Sequence, residues 1–209
     1  MAEPLSIRSM RRLSEERLEL SLSDGTTLVT TLSAAAAQRC AVGRELSVEA
    51  LEELKSSSAL ALCRQRALEL LSRRSCSAGE LADKLLRKGE AEENVAAVIE
   101  WLRERRYLDD AGYAAAVVRH YAAKGCGPAR IRQELSRRRV PRELWDEAME
   151  EMPADSDAVD RFLATKLRDP RDRDQVRKVS AALLRRGFGW EEIRSALRRL
   201  ETDAEDCDE

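Results

Sequence analysis

The sequence predicts a mainly α protein, an elongated right-handed solenoid of three tandem three-helix repeats behind an N-terminal extension with a small β-hairpin and short helices. Three observations predict it. The pair Leu81 and Leu85, one helical turn apart, returns as Ile131 and Leu135 and again as Val179 and Leu183, a period of roughly 50 residues of the kind that marks stacked repeats. Each pair is followed by a stop and a further apolar stripe: Gly89 then Val95, Val98, Ile99 and Leu102; Pro141 then Leu144 and Ala148; Gly187 then Ile193 and Leu197. Finally, only 4% of residues are aromatic and 36% are charged, so the core must be aliphatic and thin, which suits small helical layers.

In the extension, residues 1–58, Leu18, Leu20 and Leu22 alternate, Asp24-Gly25 supplies a hairpin turn, and Leu28, Thr30 and Leu32 resume the alternation. An alanine-rich helix is expected over Ser33 to Cys40, broken by Gly43, and another over Val48 to Leu54 behind the cap Ser47. Lys55 to Ser58 then forms a joint. A lone hairpin is marginal in water, so it either docks on the first helical repeat or meets a partner.

The first repeat, 59–108, opens with a helix through Leu68, Leu70 and Leu71 that ends near Arg73 and Arg74. Its second helix starts at Ser77-Ala78-Gly79-Glu80, which has capping-box form, and stops at Gly89; Val95 to Leu102 is the stripe of the third. The second repeat, 109–153, has Asp109 as a cap, a helix over Tyr113 to Lys124, and Gly127-Pro128 opening the next with proline at its favoured early position. Its third helix starts at Pro141. The third repeat spans 154–200, and residues 201–209 are an acidic, disordered tail.

The stretches LLSRRSCSAGELADKLLRKG, YLDD and KGCGPARIRQELSRRRVPRELWDEA resemble the RecX family of recombination regulators. The resemblance covers about Ala59 to Leu200. Its most specific parts are Arg74-Ser75 with Glu80-Leu81 and Leu85, then Leu108-Asp109-Asp110, then Gly127 with Arg130-Ile131 and Leu135. It implies a bacterial cytoplasmic protein that binds RecA recombinase filaments and restrains their ATP hydrolysis and strand exchange. Single- or double-stranded DNA is a further expected partner, and a monomer is expected.

The residues that carry chemistry point to binding rather than catalysis. His120 is the only histidine, so imidazole-based nucleophile pairs and multi-histidine metal sites are nearly excluded. Gly125-Cys126-Gly127 lacks the Lys-Ser/Thr of a phosphate loop. Asp109 and Asp110 read as groups capping a helix start. Five scattered cysteines without a CxxC pair argue against disulfides or zinc. No enzyme, cofactor or metal is expected, and no membrane span.

The net charge of −2 hides an asymmetry: twelve basic and five acidic residues lie between Arg161 and Arg199, then six acidic and no basic residues from Glu201 to Glu209. An anionic partner, or a solvated helix face beside a frayed terminus, accounts for this. Basic clusters recur at the ends of second helices: Lys84, Arg87 and Lys88; Arg137, Arg138 and Arg139; Arg185 and Arg186. With Arg73, Arg74, Arg119, Lys124, Arg130, Arg177 and Lys178 they are the candidates for contacting a recombinase or DNA. Any one cluster also reads as complementing a helix macrodipole; recurrence at equivalent places favours a basic stripe suited to phosphates or an acidic groove. Trp101, Trp145 and Trp190 do not occupy equivalent positions and read as packing residues, with Trp190 the more exposed. A DNA-binding repeat protein without a recombinase target and a protein-interaction scaffold remain as rivals.

Overall fold

A computed structural model of the chain describes residues 4–152 and 157–206. It is a helical repeat fold behind a small sheet, and it divides into two units: the residues up to Ser75 with Leu81–Leu108, and Cys76–Glu80 with Asp109 onward.

The first unit begins with strands β1 (Leu5–Arg12), β2 (Arg17–Leu22) and β3 (Thr27–Thr31), helix α1 (Leu32–Ala37) and the short strand β4 (Glu45–Leu46). The expected two-stranded hairpin is thus part of a four-stranded antiparallel sheet of order β3-β2-β1-β4. The hairpin itself, β2 to β3, turns at Asp24-Gly25, where Asp24 Oδ1 accepts from Thr26 N–H at 2.9 Å and Gly25 takes φ +86°. β1 escapes sequence reading because a register shift between Ile7 and Ser9 puts Leu5 and Ile7 out of phase with Met10.

Ile7, Leu20, Leu22 and Leu46 pack with Leu51 and Leu54 of α2 (Val48–Arg73). The 26-residue α2 passes straight through the expected joint at 55–58, and through the expected boundary at residue 58. That stretch holds no glycine or proline, and the sheet supplies the packing that serine's weak helix propensity lacks. Ser58 Oγ donates to Thr30 Oγ1 at 2.7 Å beneath the sheet, and Ser57 Oγ to Leu54 O at 3.1 Å. Ser47 caps α2, accepting from Ala50 N–H at 3.2 Å. Helices α3 (Ala78–Arg87) and α4 (Glu92–Glu104) follow. Leu81, Leu85, Val95, Val98 and Leu102 are all buried.

The second unit holds α5 (Asp110–Ala123), α6 (Pro128–Arg137), α7 (Trp145–Glu150), α8 (Asp157–Lys166), α9 (Arg173–Arg186) and α10 (Trp190–Asp206). Asp109 caps α5, accepting from Gly112 N–H at 2.9 Å. Pro141 leads into a 3-10 turn, Arg142–Leu144, rather than directly into an α-helix. Each triplet has its own aliphatic core: Val117, Val118, Ile131, Leu135 and Val140 in one, Val159, Leu163, Val179, Leu183 and Ile193 in the other. Helix α10 continues to Asp206, so residues 201–206 of the expected disordered tail are helical. The expected boundary at 153/154 and residues 207–209, with Cys207, lie outside the described residues.

Candidate functional site

Most residues singled out for binding sit near the ends of second helices, and in the second unit those ends are joins. The N-terminus of α6 abuts the C-terminus of α9, with Gly127 N–H donating to Arg186 O at 2.9 Å and Ala129 N–H to Gly187 O at 3.1 Å. These are groups a helix cannot satisfy internally. The join recurs where residues 76–80 meet the end of α6. Ser77 Oγ donates to Arg138 O and accepts from Glu80 N–H at 3.0 Å, while Asp110 Oδ1 accepts from Ala78 N–H at 2.7 Å.

Both joins are too close for a side chain: a Cβ on Gly79 would stand 2.7 Å from Arg139 O, and one on Gly127 2.5 Å from Gly187 O. Gly187 takes φ +90°, and its counterpart in the preceding triplet is Arg139 at φ 55°. A non-glycine residue there is disfavoured by about 1–2 kcal/mol.

The arginines of α6 are organised by one buried carboxylate. Glu134 is 3% exposed and takes Arg130 at 3.1 Å, Arg137 at 2.6 Å and Arg138 at 4.0 Å, and accepts from Tyr121 Oη at 3.1 Å. Burial raises its pKa, but the bonds from Arg137 and Tyr121 and the charge of Arg130 outweigh that, so it lies below the usual glutamate value. Sequence spacing carried the signal, since Glu134 stands four residues after Arg130 and three and four before Arg137 and Arg138. Arg138 is drawn inward, donating to Tyr113 Oη at 2.8 Å and Tyr121 Oη at 3.4 Å.

Arg130 and Arg137 point instead into a groove of about 530 Å³ beside the start of α7, shared with Arg132, Arg142 and Trp145. Arg142 lies 5.6 Å over the Trp145 ring, whose Nε1 donates to Val140 O at 3.0 Å. Arg132 and Arg142 were not among the sequence candidates. They lie outside the run 137–139, and the groove that gathers them forms only on folding.

The remaining candidates are dispersed. Arg119 pairs with Glu151 at 2.9 Å and Lys124 sits 5.8 Å over Tyr121. On α9, Arg177 pairs with Asp174 at 3.1 Å, Arg186 lies 4.5 Å over Phe162, and Lys178 and Arg185 are exposed. In the first unit Arg73, Arg74, Arg87 and Lys88 are exposed and Lys84 is half-buried. Arg87 Nε is bonded to Asp83 O at 3.0 Å, and Arg74 Nη1 reaches Ser75 O at 3.4 Å.

Other reactive residue types have structural settings. His120 is exposed and edge-on to Tyr121 at 5.2 Å. The Cys63 thiol is fully buried, and burial, with Glu90 nearby, pushes it up to about 11. Trp101 is flanked by Arg64 at 5.2 Å and Arg105 at 4.8 Å. Among the described residues no group of three His, Cys, Asp or Glu side chains is placed to hold a metal ion, and no helix is long and apolar enough to cross a membrane.

Comparison with known proteins agrees with this arrangement. Residues 63–102 match the description "RecX, first three-helix domain", and residues 109–149 match "RecX, second three-helix domain". The Regulatory protein RecX of Vibrio cholerae serotype O1 is 40% identical over 147 residues, spanning 69% of this chain and 97% of that protein. That of Vibrio vulnificus is 37% identical over 141 residues, spanning 65% and 90%. At the level of fold, a structure titled "Crystal structure of regulatory protein RecX" superimposes with a TM-score of 0.69 at 22% identity, covering 91% of this chain and 99% of the other. With its paired triplets and a likeness that spans nine-tenths or more of these relatives' length, the chain belongs to the RecX family of regulatory proteins.

Proposed function

We propose that this chain binds RecA–DNA filaments and inhibits the recombinase, lowering its ATP hydrolysis and strand exchange by occupying the filament groove or blocking extension. Membership of the family supports this choice of target. The observation on the chain that carries the reading is the cationic groove of α6, where Arg130, Arg132, Arg137 and Arg142 converge beside Trp145. Four guanidiniums suit phosphates or carboxylates displayed repeatedly along a polymer. Contacts to several subunits at once then add by effective concentration without any one being strong. No covalent step is involved, so the action is steric, with a bias on subunit interfaces.

The test is a recombinase ATPase and strand-exchange assay with substoichiometric protein. Inhibition below one molecule per recombinase subunit is the expected result, and no inhibition at any ratio removes the reading. The same groove favours a second reading, direct DNA binding without a recombinase, because an indole beside arginines also suits bases and phosphates. Binding to naked DNA that falls steeply with salt, and is indifferent to added recombinase, distinguishes it.

A further inference from the structure

The cationic groove of α6 has an apolar counterpart on α9. Setting Ile131 and Leu135 over Val179 and Leu183 places Arg132 with Ser180, Ser136 with Leu184 and Arg142 with Trp190, and these positions line both grooves. On α9 the groove, of about 560 Å³, is lined by Val176, Leu184 and Trp190, with Arg171, Arg173 and Arg177 also bordering it. Leu184 and Trp190 are each 47% exposed. Ser180 lines the same groove, is 5% exposed, and its Oγ has no hydrogen-bond partner among the described residues. A buried hydroxyl left without a partner is unfavourable by about 1–3 kcal/mol, a deficit that a bound polar group would relieve.

We infer that this groove docks an acidic segment of a partner protein carrying one or two large apolar side chains. Apolar side chains cover Leu184 and Trp190, which nucleic-acid phosphates do not, and carboxylates meet the bordering arginines. At the rim Arg177 pairs with Asp174, the two side chains 77% and 73% exposed, so a competing carboxylate displaces that pairing at little cost. The chain's own acidic stretch is not the occupant within one molecule: α10 starts at Trp190 and carries residues 201–206 roughly 16–24 Å away along its axis. The proposed function enters only in identifying the partner as the recombinase.

The test compares the full chain with Leu184→Glu, Leu184→Ser and Trp190→Ala, all at half-exposed positions, with thermal melts to check folding. Each is titrated against a synthetic helical peptide with leucines four residues apart and glutamates between them. Each is also titrated against RecA filaments on single-stranded DNA and against that DNA alone. Wild type is expected to bind peptide and filament, the variants to lose about tenfold or more on both, and binding to naked DNA to stay unchanged. Equal binding by wild type and variants overturns the inference, as does a wild type that ignores the peptide. If wild type binds the peptide in a Leu184-dependent way but ignores the filament, the groove stands and the recombinase reading falls. Self-association abolished by Leu184→Glu, without peptide binding, assigns the face to a second copy and overturns the partner-protein inference.

Discussion

At Gly127 a hydrogen atom decides whether two triplets can meet. A Cβ added there would stand 2.5 Å from the Gly187 carbonyl, which leaves no room for a methyl group, and the obstacle is backbone rather than a flexible side chain. Gly127→Ala is therefore expected to destabilise by about 1–3 kcal/mol, read as a lowered midpoint in thermal unfolding. Gly89→Ala meets nothing within 4 Å but keeps φ +84°, so only its backbone strain, about 1–2 kcal/mol, should appear. Glu134 sets a pH dependence. Its folded pKa is depressed, so the unfolded state binds more protons in acid. The stability it contributes is present above the ordinary glutamate value of 4.5 and is lost as pH falls through the lower, folded value. Glu134→Gln should lose about 1–3 kcal/mol at neutral pH and show a flatter stability profile below pH ~4.5, measured by urea unfolding across pH. A wild-type profile no steeper than the variant's would refute the role of the carboxylate.

At the scale of elements, α2 is the test of how the sheet and the first triplet are connected. A joint at 55–58 would tolerate a proline; a continuous helix packed under the sheet would not. Lys55→Pro changes an exposed side chain but removes an interior helical bond, so a loss of about 3 kcal/mol or more is expected in denaturant unfolding. The expected joint is helical because local propensity, weak at three successive serines, counts for little beside the burial of Leu51, Leu54 and Ser58. The helices of the repeats were legible for the opposite reason. Leu81, Ile131 and Val179, each buried on its second helix, advertise their faces through spacing alone. β1 was hidden by its bulge, and the role of Asp110 by the fact that the N–H it accepts lies 32 residues away.

For the molecule as a whole, the charge that matters is the exposed part of the basic inventory. Arg138 serves two tyrosines, so reversing it confounds folding with binding. Arg132 and Arg142, both exposed and lining the cationic groove, make the cleaner pair. The double variant Arg132→Glu, Arg142→Glu should keep its melting temperature within a few degrees and inhibit the recombinase at least roughly tenfold less. Any DNA affinity should also show a salt slope smaller by about 2. Unchanged inhibition and salt slope would move the function away from this groove.

By itself the sequence determined what depends on neighbours along the chain: helix positions from a 3.6-residue period, caps at Ser47 and Asp109, the Asp24-Gly25 turn, the period of the repeat, and the local motifs that carry the family resemblance. Tertiary structure decided what depends on residues far apart: the four-stranded sheet, the glycine joins of second helices, the carboxylate that holds three arginines, and the contrast between a cationic groove on α6 and an apolar one on α9. The division is physical. Periodicity and capping are settled within a few residues, whereas a groove has its character only once side chains from separate segments are brought to the same place.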